Sequence, residues 1–431
     1  MLFRLLRRLI DVRPAEVTAL AWSWIYFFSV LSAYYVIRPI RDEIGAAAGV
    51  SKLPWMFTAT LIGMTIANPP FAALVSRLAP VRFISTVYRF FAVNLLLFLV
   101  LLETTSGSVN LWTGRIFFTW SAIFNLFVVS VFWGFMVDVF SNEQGRRLFG
   151  FIAAGGTIGG IAGSTITASL VAHTGRAVPM LISVALLEVA VLAVRRLSKV
   201  ARRLEERHEH EAVVGGRVLA GITNAVKSPY LLNISLYMLL FTMLSTFLYF
   251  QQADIVKDSF ASRAARTAYF ANVDLAVNLL TLSTQLFLTG RLLKRLGVAA
   301  CLTLIPAVSV GGFLCLGIKP VLWAVVILQV ARRGGDFAIT RPAREVLFTV
   351  MPREDKYKAK CFIDTFVYRA GDQIGAWSYA LMGRMGLQLA GIAMAAVPIA
   401  AVWMFIGLWL GRRQERLSEK TNAIPVVSCN A

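Results

Sequence analysis

Twelve apolar runs of about 20 or more residues alternate with short polar breaks: 15–37, 54–76, 81–103, 110–139, 148–170, 176–197, 229–256, 265–289, 297–318, 320–351, 358–382 and 386–411. A helix rises about 1.5 Å per residue, so about 20 apolar residues cross a bilayer core of about 30 Å. The pattern predicts an all-α polytopic membrane protein with 12 transmembrane helices. Runs four, seven and ten exceed that length and are expected to tilt or to project from the bilayer.

Composition agrees with this reading. Of 431 residues, 58% are hydrophobic and 15% charged, whereas a soluble domain holds about 45–50% apolar and about 25% charged residues. The net charge of +20 does not imply nucleic-acid binding, because the basic residues sit in short clusters between apolar runs. Threaded from a cytoplasmic N-terminus, 27 of the 43 Lys and Arg fall on the cytoplasmic side, 9 outside and 7 within helices. That asymmetry predicts an inner-membrane protein with both termini in the cytoplasm. The start, MLFRLLRRLIDVRP, resembles the first part of a signal peptide. No small-residue cleavage site follows, so run 15–37 is expected to remain as helix 1, held by Arg4, Arg7, Arg8 and Arg13. Cys301, Cys315, Cys361 and Cys429 have neither pairing nor metal spacing, and His208 and His210 read as a solvated pair. No metal site or cofactor is implied.

The halves read as diverged copies. An offset of 211 places Glu143 on Glu354, Arg147 on Lys358, Phe151-Ile152 on Phe362-Ile363 and Gly160 on Gly371. Offsets of 213 and 218 place Leu31-Ser32 on Leu244-Ser245 and Arg77-Leu78 on Arg295-Leu296. This implies two six-helix halves related by an axis along the membrane normal, the major-facilitator plan. The expected boundaries are 1–197, a linker at 198–228, 229–411 and a cytoplasmic tail at 412–431. The basic linker reads as a surface helix touching anionic headgroups, with a regulatory or partner-binding role as the alternative.

Charges inside the apolar runs are the candidate chemistry. Gln329–Met351 carries Arg332, Arg333, Asp336, Arg341, Arg344 and Glu345, and Lys356–Trp377 carries Asp364, Arg369 and Asp372. Each buried charge costs about 2.5–3.5 kcal/mol on insertion scales, so such residues face a cavity or a partner. Counted along a continuous α-helix, Arg333 and Arg344 share a face, and Asp336 reaches Arg332 or Arg333. Helix 1 ends in SAYYVIRPIRDEIG, where Tyr34, Tyr35, Arg38, Arg41 and Asp42 admit two readings. One is a grip on an anion carrying a planar ring; the other is a helix end whose Arg38 pairs with Asp42. Arg89 and Arg115 read as structural pairs, and Asn68-Pro69-Pro70 as a packing kink. Asp138 with Arg146 and Arg147 reads as a cytoplasmic latch. In helix 5, GGTIGG lacks the strand of a phosphate loop, whereas Gly156/Gly160 and Gly159/Gly163 give GxxxG spacing for close helix contact. Tyr249, Gln251, Gln252 and Asp254 in helix 7, with Asp274, Asn278 and Gln285 in helix 8, give the second half its own polar lining. No serine triad or hydrolytic module is present, so the chain does not read as an enzyme or an ATP-driven pump.

These residues resemble the ATP/ADP translocase family of bacterial and plastid nucleotide exchangers, whose architecture is similar to the major facilitator superfamily. Arg38, Arg41 and Asp42 fall where that family has an arginine, a lysine and an aspartate after helix 1. FWGFMVDVF with Gly145–Phe149 resembles its helix 4 end, Lys227–Leu231 its entry to helix 7, and Lys358, Lys360, Ile363, Asp364, Arg369 and Gly371 its helix 11 pattern. Where the family carries an acid in helix 7, this chain has LYFQQ. The resemblance implies a secondary transporter, an antiporter of nucleotides or other organic anions.

The combined expectation is alternating-access transport of a small anionic solute. Tyr34, Tyr35, Arg38, Arg41, Arg333, Arg344 and Arg369 would contact it. Asp42, Asp336, Asp364 and Asp372 would pair charges or couple a proton or counter-substrate. A proton-coupled drug or metabolite exporter and a non-transporting membrane scaffold or sensor stand as alternatives.

Overall fold

The computed structural model describes residues 12–140, 142–205, 228–351, 360 and 362–422. Among them there are helices and no strands. A 3-10 turn, Pro14–Glu16, leads into α1 (Val17–Ala48), α2 (Leu53–Arg77), α3 (Pro80–Thr104) and α4 (Gly107–Val139). There follow α5 (Asn142–Thr174), α6 (Ala177–Glu205), α7 (Pro229–Ser259), α8 (Arg263–Phe287) and α9 (Thr289–Ile318). The tenth helix, α10, is Leu322–Gly335, a π segment Asp336–Thr340, and Arg341–Leu347. The eleventh, α11, begins with a π segment, Ile363–Val367, and continues as Tyr368–Arg384; α12 is Leu389–Asn422. Each predicted run has its helix. The polar ends extend several of them: α12 continues 11 residues past the expected boundary at 411, and α6 continues to Glu205.

Eight of these helices are long and apolar enough to cross a membrane. The other four are α2, α8, α10 and α11. Two of those, α10 and α11, carry the charges and the π segments. The protein is an all-α, multi-pass membrane protein.

The described chain forms two compact units. The first gathers α1–α6 with Val256–Asn278, the facing ends of α7 and α8. The second gathers the remainder of α7 and α8 with α9–α12.

In the first unit α1 packs against α5 and α6. Small residues make that approach possible. A Cβ at Gly159 would stand 2.5 Å from the Phe28 carbonyl oxygen, and one at Gly163 would stand 2.5 Å from that of Ser32. Ser32 Oγ donates to the Gly159 carbonyl at 2.9 Å, so the two backbones are also tied by a hydrogen bond. In the second unit α7 and α11 meet in the same manner. A Cβ at Gly371 would stand 2.7 Å from the Leu239 carbonyl oxygen, and one at Gly375 would stand 2.9 Å from that of Met243.

These contacts refine the internal repeat. By packing, Phe28 and Ser32 correspond to Leu239 and Met243, an offset of 211 in place of the 213 read from Leu31-Ser32, and the packing glycines Gly159 and Gly163 correspond to Gly371 and Gly375 with 212. The expected match of Gly160 to Gly371 is therefore one residue out. Its cause is the π segment at Ile363–Val367: hydrogen bonds closed over i to i+5 take one extra residue into the turn. The offset is 211 at the entry to that segment, at Phe362-Ile363, and 212 after it.

Candidate functional site

The second unit holds the charges of α10 and α11. Arg332 is 2% exposed and donates to the Phe241 carbonyl at 2.7 Å and to Ser245 Oγ at 2.6 Å, both on α7. Its guanidinium also lies 5.0 Å from the Phe241 ring centre and 5.8 Å from that of Trp403. Hydrogen bonds and aromatic faces thus hold this cation in place. Arg332 is an anchor between α10, α7 and α12.

Asp336 begins the π segment and pairs with Arg341 at 3.1 Å. Their separation is five residues. In an α-helix that spacing turns the two side chains about 140° apart, whereas a π turn stacks them. The π turn adds Arg341 as a partner of Asp336, which also lies in the field of Arg332, the i−4 neighbour expected from the sequence. The same interruption changes the predicted face. With one extra residue in the turn, Arg344 is rotated by about a quarter turn from Arg333, and Arg341 comes into line with Arg333 instead. Arg344 contacts Met238 Sδ of α7 at 2.6 Å and Asp364 of α11 at 3.5 Å.

Asp364 lies in the second π segment, so both interrupted turns carry an aspartate paired to an α10 arginine. Arg369 pairs with Asp372 at 3.3 Å, the expected i, i+3 contact. Tyr368 lies in the field of Arg341 and Asp336 from α10 and of Asp372 and Arg369 from α11. One local cluster thus gathers Asp336, Arg341, Arg344, Asp364, Arg369 and Asp372. Beside Leu347, Glu345 pairs separately with Lys360. On α7, Gln252 Oε1 accepts from Gln329 Nε2 of α10 at 2.8 Å, and Gln251 donates to the Leu389 carbonyl at 3.2 Å.

The first unit holds the helix 1 cluster. Arg38 stands 3.7 Å from Asp42 and 3.5 Å from Asp274 of α8, with the Tyr35 ring at 5.5 Å. Arg41 reaches Asp42 at 3.3 Å and lies 4.1 Å from the centre of the Phe118 ring. Tyr34 lies in the field of Arg38, Arg41 and Asp42, with its ring 5.5 Å from that of Tyr35. The five named residues come together, and the pairing of Arg38 with Asp42 is present alongside the aromatic faces. Sequence reasoning missed Glu43. That carboxylate is 1% exposed and accepts from Arg266 at 2.8 Å, with Arg263 at 4.0 Å. Its one sequence signal is a second acid after Asp42 within an apolar run.

At the far end of α1, Arg147 pairs with Glu16 at 2.9 Å and Glu143 at 3.8 Å. Glu16 is 2% exposed and also accepts from Gln144 at 3.1 Å. Of the expected latch residues, Arg147 is seen to pair with Glu16, in the turn before α1, and with Glu143. The Arg146 side chain is outside the described residues. Arg89 pairs with Glu188 at 3.2 Å between α3 and α6, a structural pair as expected.

Residues 19–340 match the family model of the Major Facilitator Superfamily. The chain belongs to the Major Facilitator Superfamily. It is a multi-pass membrane transporter of that superfamily, and not an enzyme. Among proteins of curated function, no sequence matches it. Its fold is similar to that of an auto-inhibited POT family peptide transporter, with 15% identity, TM-score 0.60, and 92% of this chain and 97% of that one covered. It is similar also to a bacterial homologue of the iron transporter ferroportin in an inward-facing state, with 12% identity, TM-score 0.61, and coverage of 93% and 98%. A bacterial homologue of the human lysosomal transporter Spinster gives 12% identity, TM-score 0.57, and coverage of 95% and 98%.

Proposed function

We propose that this superfamily member is a secondary active transporter that moves an organic anion across the bacterial inner membrane by alternating access. The observation that carries the reading is the charge balance around the two π segments. Arg332, Arg333, Arg341, Arg344 and Arg369 stand on α10 and α11 against Asp336, Asp364 and Asp372. Positive charge in excess of acid, within helices of a membrane transporter, favours an anionic cargo. π turns concentrate at functional sites, and both of these carry an aspartate with which an anionic cargo would compete for the paired arginine. The cargo class is a phosphorylated or carboxylated metabolite, nucleotides among them, as the resemblance to the ATP/ADP translocases implies. The glutamines of α7 replace the acid that family carries there, which suits a wider range of anions than ATP and ADP alone.

Counterflow into proteoliposomes tests this directly. Purified protein, preloaded in turn with a nucleotide, a sugar phosphate and a dicarboxylate, exchanges at least one of them without ATP hydrolysis. Arg333→Gln and Arg344→Gln abolish that exchange while expression and thermal midpoint stay near wild type. Wild-type exchange in both variants, or exchange of neutral solutes only, overturns the reading.

A further inference from the structure

The last turns of α12 carry a site that the transport path does not use. Phe405, Leu408, Trp409, Arg412, Arg413 and Arg416 line an open groove of about 360 Å³ along the helix surface. At 3.6 residues per turn, Phe405, Trp409, Arg412 and Arg416 fall on one stripe within about 60°, with Leu408 and Arg413 flanking it. The stripe runs from apolar to aromatic to cationic over about 16 Å. That order follows a membrane lipid: acyl chain, interfacial glycerol, then headgroup.

The cationic end is open. Arg412, Arg413 and Arg416 are exposed, and none of them forms an ion pair among the described residues. Phe405 is 64% exposed and Trp409 43%, so the apolar end is open as well. Glu415 and Glu419 stand on the Leu408 side of the stripe, and a Cβ at Gly297 of α9 would stand 2.9 Å from the Glu415 carboxylate. Three guanidinium groups against these two acids leave the end with a net positive charge. Gly411 packs against Ala299 of the same helix, and exposed Arg291, Lys294 and Arg295 precede that contact on α9.

We infer that this end of α12 binds an anionic phospholipid, its phosphate held by Arg412, Arg413 and Arg416 and its acyl chains lying along Phe405, Leu408 and Trp409. Guanidinium groups give a phosphodiester charge-assisted hydrogen bonds in a fork that fits its oxygens. An exposed aromatic floor leads from them into the bilayer.

The test uses the full-length protein in nanodiscs of phosphatidylcholine with and without phosphatidylglycerol, and native mass spectrometry to count retained lipid. Wild type retains phosphatidylglycerol, and brominated phosphatidylglycerol quenches a fluorescence component that Trp409→Phe removes. The triple variant R412Q/R413Q/R416Q binds on the order of a hundredfold more weakly. The variant R412K/R413K/R416K keeps most of the affinity, which shows that the helix end folds normally. R195Q/R196Q/K199Q, on another basic helix end, serves as the control and changes little. Undiminished binding by the glutamine triple variant overturns the inference. So does an equal loss in the control, equal retention of phosphatidylcholine, or displacement of the lipid by glycerol 3-phosphate, which lacks acyl chains.

Discussion

Asp336 and Arg341 form a 3.1 Å ion pair across five residues of one helix, a spacing that the π segment Asp336–Thr340 closes. The acid also lies in the field of Arg332, which is 2% exposed. The two ends of the pair are therefore unequal. Arg341 is half-exposed, and its loss leaves Asp336 facing Arg332. Losing Asp336 leaves a buried arginine without its countercharge. Asp336→Asn is expected to cost about 3–5 kcal/mol, the range for breaking a buried pair, and Arg341→Gln about 1 kcal/mol or less. Thermal midpoints of the two variants in detergent check the order. Equal shifts would show that Arg332 does not depend on Asp336.

The glycine contacts give a second expectation. Gly159 lies against Phe28 and Gly371 against Leu239, with no room for a Cβ at either place. Gly159→Ala and Gly371→Ala each force two backbones apart, an overpacking that costs about 1–3 kcal/mol. Gly160→Ala meets the Asn278 side chain instead of backbone, and a side chain gives way more easily. Thermal midpoints should fall clearly for Gly159→Ala and Gly371→Ala and less for Gly160→Ala. The reverse order would restore the register that pairs Gly160 with Gly371.

The apolar runs made the helices legible, because bilayer thickness sets a minimum length that composition alone reveals. The residues of the charged cluster were legible too, since an arginine in an apolar run needs a reason to be there. Their partners were less so. Nothing local distinguishes Arg332 from Arg333. Which of them turns to Phe241 and Trp403 depends on the packing of α7 and α12. The π segments left one trace, the change of repeat offset from 211 to 212, which becomes readable once the packing glycines are known. Glu43 and Arg266 are separated by 223 positions, and no spacing rule connects them.

That pair carries a third expectation. The Glu43 carboxylate, 1% exposed, is met by Arg266 and Arg263 at the start of α8. Arg266 also donates to the Phe260 and Ala261 carbonyls at 3.0 and 3.1 Å, so it fastens the α7–α8 turn to α1. Arg266→Gln leaves a buried carboxylate short of its closest cation and frees the turn. Hydrogen exchange of amides in 256–270 should speed by at least tenfold, while amides in the middle of α5 stay protected. Unchanged exchange in the turn would show that apolar packing alone holds it.

The orientation expected from charge is open to direct measurement. With 27 basic residues on one side and 9 on the other, the chain is expected to insert with its N-terminus in the cytoplasm. The turn between α3 and α4 then lies outside, and the segment after α6 lies inside. Cysteine placed at Ser106 or at Glu209 in a cysteine-free background separates the two cases. An impermeant maleimide added to intact cells should label the first and not the second, and permeabilisation should expose both. The aromatic-to-basic end of α12 shares the inner side in this arrangement, so a cysteine at Arg412 should behave as the one at Glu209 does. Labelling of Glu209→Cys or Arg412→Cys in intact cells would invert the topology. Anion entry and the lipid leaflet bound by α12 would then have to be reassigned together.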